Sequence, residues 1–170
     1  GHNGKVYMLP DGNIVKIFFS KKTCRKEYEI FKKVYGNAYY PKVYEYGSNY
    51  IIRQLVNGTC LKDYIKNNGI NSIICNNLID LLIEFKKLGF SKIDIRCKDI
   101  FIEDDFSLHV IDPKDCFSKY RDYPQHLSKG LYKLGVLDFF MDVLKKSNLY
   151  LYNKWSDEIY SYLKIRFKEY

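Results

Sequence analysis

In the stretch "NIVKIFF", Ile14, Lys16 and Phe18 alternate with Val15, Ile17 and Phe19, the two-residue period of a β-strand. One face of that strand therefore carries a lysine between apolar neighbours. The run "GKVYM" ahead of it is also strand-like, and "PDGN" between them is the kind of turn that closes a hairpin. The period then changes. "KTCRKEYEIFKKVYG" has helical spacing, with Tyr28, Phe31 and Val34 on one side and Gly36 as the stop. "PKVYEYGSNYIIRQLV" returns to strand pattern twice, around "GSN". Up to Val56 the predicted order is strand, strand, helix, strand, strand.

After "NGT" the pattern becomes helical. "CLKDYIKNNG" predicts a short helix and "NSIICNNLIDLLIEFKKLGF" a longer apolar one ending at Gly89. "PQHLSKGLYKLGVLDFFMDVLKK" predicts one further buried helix. "SDEIYSYLKIRFKEY" predicts a final amphipathic helix, with Ser156 as its cap. The boundary between a strand-rich front and a helical back falls at Asn57 to Thr59. This gives an α+β chain with a front domain of residues 1–56 and a back domain of residues 57–170.

With 46% hydrophobic and 17% aromatic residues, 170 residues can bury an ordinary core, and the chain is too apolar for disorder. No apolar run approaches the length that spans a bilayer, and no signal-peptide pattern opens the chain. The five cysteines are scattered without metal-ligand spacing, so reduced thiols and a cytoplasmic setting are expected. The formal charge of +8 raises the question of a polyanionic partner. The lysines, however, are spread as pairs (Lys21/Lys22, Lys32/Lys33, Lys86/Lys87, Lys145/Lys146), and no single basic stripe is visible.

Against that positive balance, "DIRCKDIFIEDDFSLHVIDPKD", Asp94 to Asp115, holds seven acidic side chains. Asp94 and Asp99 fall on a loop before the strand "IFI", and Asp112 closes the strand "LHVI", so a hairpin can return Asp112 beside Asp99. Carboxylates converging on one point repel unless a cation sits between them, and hard oxygen ligands suit Mg²⁺. Asp104 and Asp105 fit a solvated hairpin tip.

Taken in order, these residues resemble the protein-kinase-like fold in a reduced bacterial form, over nearly the whole chain. "GHNGKVY" is similar to the end of the phosphate-covering loop, with Gly1, Gly4 and Val6. "NIVKIF" is similar to the strand whose lysine, here Lys16, holds nucleotide phosphates, and "KEYEIFKKV" to the helix that supplies its partner, here Glu27 with Glu29 as a rival. "YIIRQLVNG" resembles the strand and hinge, placing Gln54 and Val56 against the cofactor. "DIRCKDIFI" resembles the catalytic loop and "LHVID" the strand ending in the metal-binding aspartate. The resemblance implies a two-lobe fold, with a small antiparallel sheet plus one helix in front and a reduced helical lobe behind. It implies ATP and Mg²⁺ as cofactors. Lys16 would grip the phosphates and Glu27 would position Lys16, Asp94 would orient the acceptor, Arg96 would neutralise the γ-phosphate, and Asp99 and Asp112 would hold the metal.

The chain also departs from the family pattern. Lys92 and Ile93 replace the usual His and Arg before Asp94, Asp99 replaces an asparagine, and "DPK" with Pro113 replaces "DFG". Gly130 stands where a structural aspartate is usual, the strand ahead of the glycine loop is missing, and little room remains for an activation segment. In layout the back half resembles the small RIO-type and KEOPS-type kinases. The expected function is phosphoryl transfer to Ser/Thr of a protein substrate or of the chain itself. The alternatives are a pseudokinase that binds nucleotide or protein without turnover, and a small-molecule phosphotransferase. An RNA-associated complex stays open as a partner; membrane and DNA are not expected.

Overall fold

The computed structural model describes residues 3–113 and 115–167. The chain divides into two compact units. One runs to Asn57 and takes in the segment from His109; the other comprises Gly58–Leu108 and the chain from Asp115 onward.

In the first unit, β1 (Gly4–Met8), β2 (Ile14–Phe18), β3 (Val43–Tyr46) and β4 (Tyr50–Arg53) form an antiparallel sheet in the order β1-β2-β4-β3. The β1–β2 turn is closed by Gly12 N donating to the Leu9 carbonyl at 3.0 Å, with Gly12 at φ +83°, a conformation glycine adopts without steric cost. The expected alternation in β2 is realised: Ile14, Lys16 and Phe18 are buried, and Ile17 is exposed. On β4 the buried positions are Ile51, opposite Lys16, and Arg53, opposite Ile14. Helix α1 (Lys21–Lys33) starts at Ser20, whose hydroxyl accepts from Thr23 N at 3.4 Å. Its buried residues are Cys24, Glu27 and Phe31, continued past the helix end by Val34, so Glu27 rather than Tyr28 lies on the inward stripe.

The second unit includes the long helix α3 (Ser72–Lys87), whose buried residues Ile74, Cys75, Leu78, Ile79, Leu81, Leu82 and Phe85 form one broad face. Asn71 caps it, accepting from Ile74 N at 2.9 Å. Its end is a Schellman motif: Phe90 N donates to Phe85 O and Gly89 N to Lys86 O, both at 3.0 Å, and the Phe85 and Phe90 rings stack at 5.3 Å. A two-residue strand unforeseen in the sequence, β5 (Thr59–Cys60), precedes α2 (Leu61–Asn68) and pairs antiparallel with β6 (Ile100–Ile102). The next strand, β7 (Leu108–Val110), passes from the second unit into the first.

The single buried helix expected over residues 124–146 is two helices, α4 (Gln125–Lys133) and α5 (Leu137–Ser147). The break repeats the α3 ending. Val136 N donates to Leu131 O at 3.0 Å and Gly135 N to Tyr132 O at 2.9 Å, with Gly135 at φ +71°. The final helix, α6 (Leu149–Phe167), starts before the expected cap, and Ser156 lies inside it. Leu151, Trp155, Ile159 and Leu163, four residues apart, form its buried stripe, and Trp155 Nε1 donates to Asp122 O at 2.8 Å. Among the described residues no helix is long and apolar enough to cross a membrane.

Candidate active site

In the first unit, strand alternation and the inward stripe of α1 deliver Lys16 and Glu27 to the same place. Lys16 Nζ donates to both carboxylate oxygens of Glu27, at 2.8 and 2.7 Å, and to Asp112 Oδ1 at 3.1 Å. Those three acceptors match the three donors of an ammonium. Lys16 also lies 4.7 Å from the centroid of the Phe18 ring, within cation–π range. Glu29, the rival partner, is instead exposed and pairs with Lys32 at 3.7 Å.

Arg53 belongs to the same buried group. Its Nη1 donates to Gln54 O at 3.1 Å and its Nη2 to Ile111 O at 3.4 Å, while its Nε has no hydrogen-bond partner among the described residues. Burial pushes the Glu27 carboxyl up to about 7, partly countered by Lys16, with Asp112 raising it and Arg53 lowering it further. Burial holds the Arg53 guanidinium below its ordinary value, against the attraction of Glu27 and Asp112. Two cations and two carboxylates thus balance in a space shielded from water, where a charge without its partner would cost several kcal/mol. Asp112, with 21% of its side chain exposed, is the most accessible of the three residues joined by Lys16's bonds. Arg53 was not foreseen as a site residue. Its signal was the phase of "YIIR", which puts it on the face of Ile51 just as "IVKIF" puts Lys16 on the face of Ile14.

The remaining described residues expected to meet the cofactor lie outside this buried group. Gly1 lies outside the described residues. Gly4 is inside β1 rather than in a loop, and a Cβ there would meet Ile17 O at 2.1 Å, so the strand pairing leaves no room for a side chain. Val6 pairs opposite Lys16 and is 54% exposed. Gln54 is exposed and its side chain accepts from Lys42 N at 3.3 Å; Val56 is half-buried.

In the second unit, the Asp94 side chain is fully buried. Its Oδ1 accepts from His126 N at 2.8 Å and Leu127 N at 3.3 Å, and its Oδ2 bonds His126 Nδ1. It therefore serves as the N-terminal cap of α4, whose own preceding residue, Pro124, supplies no side-chain cap bond. Three of the roughly four acceptor positions of the carboxylate are thereby used. No local pattern signals this, since the partners are 32 and 33 residues apart. Arg96 Nε pairs with Asp99 Oδ2 at 2.5 Å rather than with Asp94. Ile93 is buried, its N donating to Arg121 O at 2.6 Å. Gly130 has no room for a side chain, because a Cβ would lie 2.6 Å from Cys97 Sγ; burial pushes that thiol up to about 12.

Against known proteins, 121 residues, 66% of this chain, are 27% identical to the "Putative serine/threonine-protein kinase YrzF" of Bacillus subtilis (strain 168). The match spans 55% of that relative's length. No family model matches the chain. Among solved structures, Rad53 residues 1–466 in complex with AMP-PNP is similar with 21% identity and a TM-score of 0.49, covering 64% of this chain and 33% of that one. WbdD, crystallised with the kinase inhibitor LY294002, is similar with 19% identity and a TM-score of 0.47, covering 59% and 28%.

Proposed function

We propose that this kinase-like chain binds ATP with Mg²⁺ and passes the γ-phosphoryl group to a Ser or Thr hydroxyl, on a protein substrate or on itself. The observation that carries the reading is the buried Lys16–Glu27–Asp112 arrangement. All three ammonium donors of Lys16 are already taken, so holding a phosphate oxygen requires one bond to be exchanged. The bond to Asp112 is the longest and involves the most exposed partner, which makes it the one to yield. Glu27 keeps the ammonium in place while the phosphate replaces Asp112. The exchange adds the negative charge of the phosphate beside Lys16 and releases the Asp112 carboxylate, which is suited to a hard cation that would offset it.

The donor set fits Mg²⁺ in this sense. Among the described residues no three His, Cys, Asp or Glu side chains gather into a metal cage. Mg²⁺ in nucleotide sites is ordinarily held by one or two carboxylates plus substrate phosphates. Asp112 would serve as one such ligand. The metal would supply neutralisation of charge developing on the transferred group.

A second reading, nucleotide binding without turnover, is favoured by Asp94, whose buried carboxylate caps α4. Incubation with ATP and Mg²⁺ separates the two. Phosphoprotein or released inorganic phosphate, lost in Asp94→Asn, supports transfer. Saturable binding with neither product supports the module, and no binding at all removes both.

A further inference from the structure

Although the sequence has no basic block, folding lines part of its charge into a stripe. On α1, Lys21, Arg25, Tyr28 and Lys32 follow at spacings of four, three and four, which keeps them on one helical face. Tyr35 comes two residues beyond the helix. The lower part of this face forms one wall of a cavity of about 170 Å³, and the edge strand β3 forms the other. Tyr28 and Tyr46 join the walls with parallel rings 3.9 Å apart. Tyr35 and Tyr44, at the groove's surface, are 76% and 51% exposed. Cations flank the rings, with Lys32 Nζ 5.8 Å from Tyr28 and Lys42 Nζ 5.5 Å from Tyr44.

We propose that this groove binds single-stranded RNA, with bases stacked on the exposed tyrosines and phosphates following the stripe from Lys32 through Arg25 to Lys21. The cavity is smaller than the roughly 300–1,000 Å³ of a site that encloses a small molecule, so a ligand that lies across it fits better than one that fills it. Aromatic faces interleaved with lysine and arginine are the combination that holds single strands: every base has a π-face, and every nucleotide has a phosphate. An acidic peptide would use the cations and leave the rings idle. Glu45 also lines the groove. It accepts from the Tyr50 hydroxyl and retains acceptor capacity for a ribose 2′-hydroxyl, a donor that DNA lacks. The groove is lined by none of Lys16, Glu27 and Asp112.

The test is fluorescence anisotropy of the whole chain with a labelled, unstructured RNA of about twelve nucleotides. Saturable binding is expected, weakened about tenfold by Tyr35→Ala and by Tyr44→Ala and retained in Tyr44→Phe. Three phosphate contacts should weaken binding roughly 20-fold between about 50 and about 200 mM salt, and Arg25→Glu should flatten that dependence. Both tyrosines are exposed, so circular dichroism should show these variants folded. Absence of saturable binding would overturn the proposal. So would folded tyrosine variants that bind normally, DNA of the same sequence binding as tightly, or polyglutamate competing as well as RNA.

Discussion

Replacing Glu27 with glutamine keeps the shape of the residue Lys16 holds but removes its ability to ionise. In the wild-type chain, burial lifts the Glu27 carboxyl from an ordinary 4.5 to about 7. Below pH 4.5 folded and unfolded chains both carry the proton, and the raised value contributes its full stabilisation. Between 4.5 and 7 the folded chain keeps a proton that the unfolded chain releases, so stability falls as pH rises. Above 7 the contribution is gone. At about 1.36 kcal/mol per pH unit, the gap between 4.5 and about 7 corresponds to about 3 kcal/mol. Glu27→Gln does not titrate there. Denaturant unfolding of both proteins from about pH 4 to about pH 8 should therefore show the wild type losing about 3 kcal/mol relative to the variant. Subtracting the variant removes the contributions of other carboxylates, such as Asp115, whose carboxyl Lys119 holds low. A difference that stays flat, or that grows in favour of the wild type as pH rises, would show that Lys16 outweighs burial and would refute the reasoning.

Asp94→Ala should cost about 1–3 kcal/mol in chemical denaturation, because the α4 amide groups of His126 and Leu127 lose their acceptor. Asp94→Asn keeps an acceptor oxygen and should cost less; if it nevertheless abolishes phosphoryl transfer, Asp94 has a chemical role beyond the cap. At Gly130, inside α4, alanine would ordinarily stabilise a helix by about 1 kcal/mol. Here the new Cβ would sit 2.6 Å from Cys97 Sγ. Gly130→Ala should instead destabilise by about 1–3 kcal/mol, read as a lower denaturant midpoint, and Cys97→Ala in the same chain should recover most of the loss.

Much of the first unit was legible because its signals are local. Two-residue alternation placed Lys16 between Ile14 and Phe18, and the order of strands and helix followed from the turns. The inward position of Glu27 was less obvious, since the spacing of Tyr28, Phe31 and Val34 also describes a helix face. Tyr28 instead packs on Tyr46, a contact set by β3. In the second unit, the pattern marks a stop at "KLGF" but none at "KLGV", although both form the same glycine-ended cap. The apolar residues on either side carried the helical period across that break. The start of α6 was missed because Leu149 to Trp155 lack a charged face to show their period. The burial of Arg53 against Glu27 and Asp112, and the capping of α4 by Asp94, depend on residues far apart in sequence. Their partners exist only once the chain has folded.

The most direct test of nucleotide binding at Lys16 is calorimetric titration of ATP with Mg²⁺ into the wild-type chain and Lys16→Met. The expected result is saturable binding to the wild type, weakened by roughly 10- to 100-fold in the variant, the value of about 1.5–3 kcal/mol for a hydrogen bond to a charged group. Equal affinity in a folded Lys16→Met chain, or no binding to the wild type, would contradict it.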